Sequence, residues 1–173
     1  MDIFKTPSQS HTIMNELVLP NDTNTLNNLM GGRLLHWMDI VAAITAQKHS
    51  GKTVVTASVD SVSFGKCIRL GDVVTLEAKV SRAFNTSMEI HIVVNAENIP
   101  SGEKFKSNEA YYTFVALDRN GTPVKVPASK PENEEEQKRF DGALRRRQLR
   151  LILGGKMKPD EATELKALFF PEE

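Results

Sequence analysis

The sequence predicts an α+β domain: a curved antiparallel sheet wrapped around one long central helix, with extra helices at the C-terminal end. Three observations carry this. The segment from about Gly32 to His49 has helical length and is apolar around almost its whole circumference. It follows a single short strand pattern. Beyond it, several segments alternate apolar and polar residues with period two, as half-buried antiparallel strands do. A helix that is apolar on most sides and followed by strands is buried most simply by a sheet that curls around it.

The elements follow in chain order. Residues 1–10 are polar and read as a loose N-terminal arm. His11 to Leu19 contains Ile13, Leu17, Val18 and Leu19 and stops at Pro20, which marks a first strand. The Asn, Asp, Thr and Gly residues of 20–32 describe an ordered loop that bends sharply. The helix carries Leu34, Leu35, Trp37, Met38, Val41, Ala42 and Ala46 among its apolar residues, and Gly51 closes it. Strands are then expected over Thr53–Val62, around Val74–Val80, around Met88–Glu97, and over Ala110–Leu117. The last is apolar on both faces and is expected to lie centrally. Asn120-Gly121 and Pro123 form a turn, and Pro127 ends the sheet region. The sheet-and-helix domain thus spans 11–130. Two helices, Glu132 to about Leu151 and Asp160 to Phe169, make a C-terminal extension over 131–173.

Composition narrows the functions. The chain has 173 residues, 40% of them hydrophobic, enough for one domain with a substantial core. Lys plus Arg and Asp plus Glu are balanced at 22 each, so charge offers no reason to expect a nucleic acid or membrane partner. One cysteine, Cys67, cannot form an intrachain disulfide, and the N-terminus lacks a secretory signal pattern. A cytoplasmic protein is expected.

Asp39 is the informative residue. Its helical neighbours Leu35, Ala42 and Ala43 place it on an apolar face, where an isolated carboxylate is costly unless it is bonded or used. Taking a carboxylate out of water raises its proton affinity towards what a general base needs. A buried Asp also serves to cap backbone amides or to anchor a subunit contact. Gly31-Gly32 at the helix start bring backbone N–H groups and the positive end of the helix dipole to one place, which suits an oxyanion. Paired glycines are also an ordinary tight turn. Asn24 and Asn28 can hold a carbonyl or a water through their amides, although Asn-rich loops are commonly turns.

Other chemistries lack their residues. There is no G-x-S-x-G nucleophile elbow and no phosphate-cradling glycine loop. Cys67 has no His nearby in sequence, and His11, His36, His49 and His91 lack metal-ligand spacing, so neither a metal nor a nucleotide cofactor is expected. Arg145, Arg146, Arg147 and Arg150 end a helix that begins Glu132, Glu134, Glu135 and Glu136, a pattern the helix dipole explains by itself. Contact of these arginines with a phosphorylated ligand is the other reading.

Taken together, four stretches resemble the cytosolic, brain-type acyl-CoA hydrolase family of hotdog-fold thioesterases. They are Pro20-Asn-Asp-Thr-Asn24 with Asn28, Gly31 and Gly32; Met38-Asp39; Thr56-Ala-Ser-Val-Asp60 with Phe64, Ile68-Arg69 and Gly71; and Ser87-Met-Glu-Ile90 with Tyr112-Thr-Phe-Val115, Gly121 and Pro127. The resemblance covers roughly residues 11–150. It implies hydrolysis of fatty acyl-CoA with Asp39 as general base and Asn24, from the adjacent subunit, positioning water or carbonyl. The amides near Gly31 and Gly32 would form the oxyanion hole. It also implies substrate or CoA contacts at Asn28, Gly31, Ser58, Val59, Asp60, Phe64 and Lys66, no cofactor besides the CoA of the substrate, and a homo-oligomer built as a trimer of dimers. A hydratase using His36 with Asp39, or a non-catalytic acyl-CoA-binding module, is the alternative. The resemblance stops short of the tail, whose Leu165, Leu168, Phe169 and Phe170 predict a helix packed on the body or on a neighbouring subunit.

Overall fold

The alternating segments pair as strands with one apolar face should. In the computed structural model, which describes residues 4–170, five of them form one antiparallel sheet. In chain order the elements of the first part are β1 (Phe4–Lys5), α1 (Pro7–Ser10), β2 (Thr12–Leu17), α2 (Gly31–Ser50), β3 (Thr53–Asp60), β4 (Val73–Ala83), β5 (Ser87–Asn98), β6 (Glu103–Leu117) and β7 (Ala128–Ser129). The large sheet runs β2-β4-β5-β6-β3. β6 is therefore interior, one place in from the edge, and β5 is the central strand. β6 also starts earlier than expected, because residues 103–109 are polar enough to read as loop yet stay in register with β5 from Glu103 opposite Asn98 onwards.

Even-numbered residues of β4, β5 and the C-terminal half of β6 form the face turned to α2. Leu76, Ile90, Ile92, Tyr112 and Phe114 are buried with Leu34, Trp37, Met38, Val41 and Ala42 of the helix. Burial of this kind stabilises by about 25 cal/mol per Å² of apolar surface, and it is what holds the helix in the curl of the sheet. α2 ends where Gly51 takes a left-handed conformation, φ 65°.

Two expectations are corrected. The N-terminal arm is not loose over its described residues: β1 pairs in parallel with β7, and Pro7 and Ser10 are buried. Thr6 precedes Pro7 at the first helical position, and the Thr6 amide donates to Gln9 Oε1 at 2.9 Å, so a short polar helix forms and packs. Composition hides this, because backbone pairing needs no apolar side chain. Nor does its own chain cover α2 all round: His36, Ile40, Ile44 and Gln47 form an exposed stripe along one side. Five strands curl around only part of the circumference.

The chain divides into two compact units between Lys130 and Pro131. In the second, α3 (Glu134–Leu153) is capped by Asn133, whose Oδ1 accepts the Glu136 amide at 3.0 Å, with Glu134, Glu135 and Glu136 at the positive end of its dipole. The expected helix over Asp160–Phe169 shrinks to a 3₁₀ turn, Pro159–Glu161, and a four-residue helix α4, Thr163–Lys166. Ala162, at φ −87° and ψ 68°, separates them, and the Leu165 amide turns to Gln148 Oε1 at 2.8 Å. Residues 1–3 of the arm and 171–173 of the tail lie outside the described residues.

His49, near the end of α2, is buried and its Nε2 donates to Pro127 O at 2.8 Å. Burial, the main cause, pushes its pKa below the ordinary 6.5. The positive charge of Lys5 adds to this, while the bond to Pro127 opposes it. The unfolded chain therefore takes up a proton at a higher pH than the native one does. Stability is full above about pH 6.5 and falls as the pH drops through and below that value, by at most about 1.4 kcal/mol per pH unit. Urea unfolding at stepped pH should show this slope for the wild type and a shallower one for His49→Gln. Equal slopes would remove His49 as the cause.

Candidate active site

The loop before α2 is built from its own polar groups. Asn24 Oδ1 accepts the amides of Leu26 at 2.9 Å and Asn28 at 3.2 Å, while the Asn24 amide donates to Asn28 O at 2.8 Å. Asn27 completes the turn at φ 56°, a conformation asparagine tolerates. Asp22 ties the loop to the helix. Its Oδ2 accepts the Leu19 amide at 2.9 Å, its Oδ1 meets Arg33 Nε at 3.0 Å, and its backbone oxygen accepts the Met30 amide. The second anchor is the chain at 68–70, where the Leu29 amide donates to Ile68 O and the Leu70 amide to Asn27 O. Asn24 is thus held on a rigid support, exposed, with its Oδ1 engaged and its Nδ2 donor turned to no acceptor of the loop.

α2 begins without a side-chain cap, since Met30 occupies the cap position. Its first-turn amides are the donors that an α-helix cannot satisfy internally. Gly32 faces open space, and a Cβ there would touch nothing within 4 Å. At Gly31 a Cβ would sit 3.1 Å from the Phe64 ring, so the ring lies closer against the helix start than a side chain there would leave it without shifting by a few tenths of an ångström. The two glycines therefore differ in purpose: Gly31 seats Phe64, and Gly32 leaves the amide end open.

Two turns along, Asp39 is half-buried and its Oδ1 accepts a 2.7 Å bond from Thr56 Oγ1. A β-bulge at Ala57 follows directly after Thr56. Thr56 stands opposite Phe114 and Ser58 opposite Thr113, so β3 spends an extra residue there and its faces exchange. As a result Thr56 and Val59 lie opposite the core residues Phe114 and Tyr112, while Ser58 and Asp60 lie on the other face, joined by a 3.2 Å bond from Ser58 Oγ to Asp60 Oδ2. The phenol of Tyr112 donates to Leu35 O at 3.2 Å. Burial, and then the charge of Asp39, push its pKa up to about 12, so it remains a neutral donor.

The residues singled out in sequence are thus only partly gathered. Asp39 is joined by Thr56 and Tyr112, and Gly31 by Phe64. Asn24 and Asn28 share the preceding loop, and the Asn24 side chain is bonded there rather than to Asp39. Lys66 pairs with Glu103, with its ammonium 4.3 Å from the Phe105 ring centre. Sequence patterning does not pick out Thr56 and Tyr112 as site residues. Both stand inside stretches that carry the family resemblance, but no periodicity reveals a bulge or a contact across 17 residues. His36 is exposed, and the carboxylate's hydrogen-bond partner is Thr56.

Residues 26–102 match the thioesterase superfamily. The chain is 41% identical over 138 residues to the uncharacterized acyl-CoA thioester hydrolase YkhA of Bacillus subtilis, spanning 80% of each protein. It belongs to the acyl-CoA thioester hydrolases. The fold of the family is the hotdog, and the helix in its curled sheet is that fold. A crystal structure of a hexameric acyl-CoA thioesterase superposes with a TM-score of 0.85 at 39% identity, over 88% of this chain and 97% of that one. The acyl-CoA hydrolase of Staphylococcus aureus, solved with butyryl coenzyme A, coenzyme A and coenzyme A disulfide, gives 0.81 at 39% identity over 88% and 95%. That enzyme has also been solved with an asparagine, an aspartate and a threonine each changed to alanine. The three are spaced fifteen and then seventeen residues apart, as are Asn24, Asp39 and Thr56 in this acyl-CoA hydrolase family member.

Replacing Thr56 with Val keeps its shape and removes the bond to Asp39. The expected result is a fall in kcat of about tenfold, the worth of one hydrogen bond, with the thermal midpoint almost unmoved. A kcat equal to wild type would mean that Thr56 does not orient the carboxylate.

Proposed function

We propose that this protein hydrolyses fatty acyl-CoA to free fatty acid and coenzyme A, with Asp39 as the base. The observation that carries the assignment of the base is the Asp39–Thr56 bond. A half-buried carboxylate is held by a single hydroxyl at a bulge, so one face stays free to accept a proton. A water oxygen attacks the thioester carbon while Asp39 takes one of its protons. The carbonyl oxygen becomes an oxyanion, stabilised by the amides at Gly31 and Gly32 and by the helix dipole. Collapse breaks the C–S bond, and the proton passes from Asp39 to the leaving thiolate. No metal or cofactor enters these steps.

Asn24 acts on the site of a second subunit. Within one chain its Oδ1 is committed to the loop, which leaves Nδ2 to donate to a carbonyl or a water bound elsewhere. Three features support a dimer as the minimal unit: β3 is an edge strand with exposed Val55 and Val59, α2 exposes Ile40 and Ile44, and both surfaces flank Asp39. The hexameric relative supports three such dimers in one particle. A place in the cytoplasm is supported by the cytosolic acyl coenzyme A thioester hydrolase of the rat, 37% identical over 138 residues. Among the described residues no helix is long and apolar enough to cross a membrane.

The test is release of free thiol from acyl-CoAs of graded chain length by the wild-type protein, with mass measured in solution. Turnover by a particle of six chains is expected. A protein that binds acyl-CoA without releasing thiol would instead be a binding module. Against the hydratase alternative stands the hydrogen bond of Asp39 within one chain, which comes from Thr56 and not from His36.

A further inference from the structure

Beyond Tyr112, the core-facing side of β6 continues through Ala110 to Asn108, which stands opposite the core residue Val94. Asn108 is 5% exposed, yet neither its Nδ2 nor its Oδ1 meets a hydrogen-bond partner. A core seldom keeps a carboxamide with both ends unpaired, and such a group calls for an explanation. Its position supplies one. β3 ends at Asp60 opposite Tyr111, so β6 from Ala110 back to Glu103 has no strand on that side. The segment 61–67 takes that place. It touches β6 at Ser107, next to Asn108: Ser107 Oγ donates to Lys66 O at 3.2 Å, and a Cβ on Gly65 would lie 3.0 Å from Ser107 O. The same segment lays Phe64 on Gly31 at the start of α2. It is a thin cover. Ser63 to Cys67 are all exposed, and Ser61 holds φ 58°, a conformation that strains a residue with a Cβ.

We propose that Asn108 is a substrate-binding residue that pairs with the two amides of the pantetheine arm of the CoA thioester. Nδ2 donates to the oxygen of one amide and Oδ1 accepts the N–H of the other, since a trans amide turns its own oxygen and N–H to opposite sides, while segment 61–67 lifts to admit the arm. Only a ligand with a donor and an acceptor side by side satisfies both atoms. An alkyl chain has neither, the phosphates of CoA are chiefly acceptors, and its adenine edge, which offers both, lies beyond them at the far end of the molecule, whereas pantetheine carries two amides. The spacing fits the amide farther from sulfur. Asn108 lies four residues along β6 from Tyr112 beside Asp39, about 14 Å, which an extended arm spans from a thioester held at Asp39. This rests on the acyl-CoA hydrolase reading and adds a determinant for the CoA half of the substrate.

The experiment compares acyl-pantetheine, which has both amides, with the acyl thioester of N-acetylcysteamine, which lacks the distal one. For Asn108→Leu the ratio of kcat/KM for the first over the second should fall 10- to 100-fold below wild type, and Asn108→Ala should lower it in the same direction. Coenzyme A binding by calorimetry should weaken by a similar factor, while the thermal midpoint of Asn108→Leu stays level or rises, since the change removes an unpaired buried amide. Ratios within twofold of wild type for both variants would overturn the assignment and leave Asn108 a core residue. Should the wild type release no thiol from any thioester, the hydrolase reading fails, and calorimetry alone decides. Coenzyme A bound equally well by wild type and variants would then refute the contact.

Discussion

Asp39→Asn should lower kcat for acyl-CoA hydrolysis by about 10²–10⁴, the usual worth of a general base. The substitution is close to isosteric, and its amide oxygen can still accept the bond from Thr56 Oγ1 that the carboxylate accepts at 2.7 Å. The helix, the oligomer and the thermal midpoint should therefore stay near wild type. That combination separates loss of a base from loss of a fold. Thiol release read by absorbance, with circular dichroism and light scattering on the same sample, checks it. A variant that keeps more than a tenth of wild-type turnover would remove Asp39 from the proton transfer. Single-turnover hydrolysis in heavy-oxygen water refines the result for the wild type: label in the Asp39 carboxylate would show an anhydride formed by that group and opened at its own carbon, whereas a base leaves Asp39 unlabelled.

A second large effect is a gain rather than a loss. Asn24→Ala and Asp39→Asn should each be almost inactive alone. Unfolded together and refolded as a mixture, they should recover about a quarter of wild-type activity. In a two-fold dimer with crossed sites, half of randomly formed dimers are mixed, and each mixed dimer holds one intact pair of Asp39 and Asn24 and one doubly altered pair. If both residues served the same chain's site, no mixture would contain an intact site and activity would stay at the level of the single variants. The geometry that motivates this is local: Asn24 Oδ1 is engaged by Leu26 and Asn28, and the Asp39 carboxylate by Thr56, so the two do not meet within one chain.

Much of the fold is legible in the order of the residues. Period-two alternation at 74–80 and 88–97 identifies strands because a sheet buries one side chain in two, and both segments pair antiparallel as β4 and β5. The apolar run from Leu34 to Ala46 identifies the buried helix for the same physical reason, and a lone Asp within it marks a position where burial must have a use. The features that stay hidden depend on interactions that leave no local signature. The polar start of β6 is a strand only because β5 lies beside it. Phe4 and Lys5 pair only because Ala128 and Ser129 come alongside.

Short-range patterns of burial, turn chemistry and spacing suffice for the class of the fold, the helix that carries the carboxylate, the turn that carries Asn24, and the family. How those pieces act together follows only from the folded chain. Thr56 reaches Asp39 across the fold, and the bulge at Ala57 puts Ser58 and Asp60 on the opposite face. The curl of five strands leaves Ile40 and Ile44 bare, and the end of β3 at Asp60 gives Asn108 its thin cover. The reason is one of range. Pairing register and side-chain contact are set by free energies between residues far apart in the chain, and a single sequence carries no direct record of which distant residues meet.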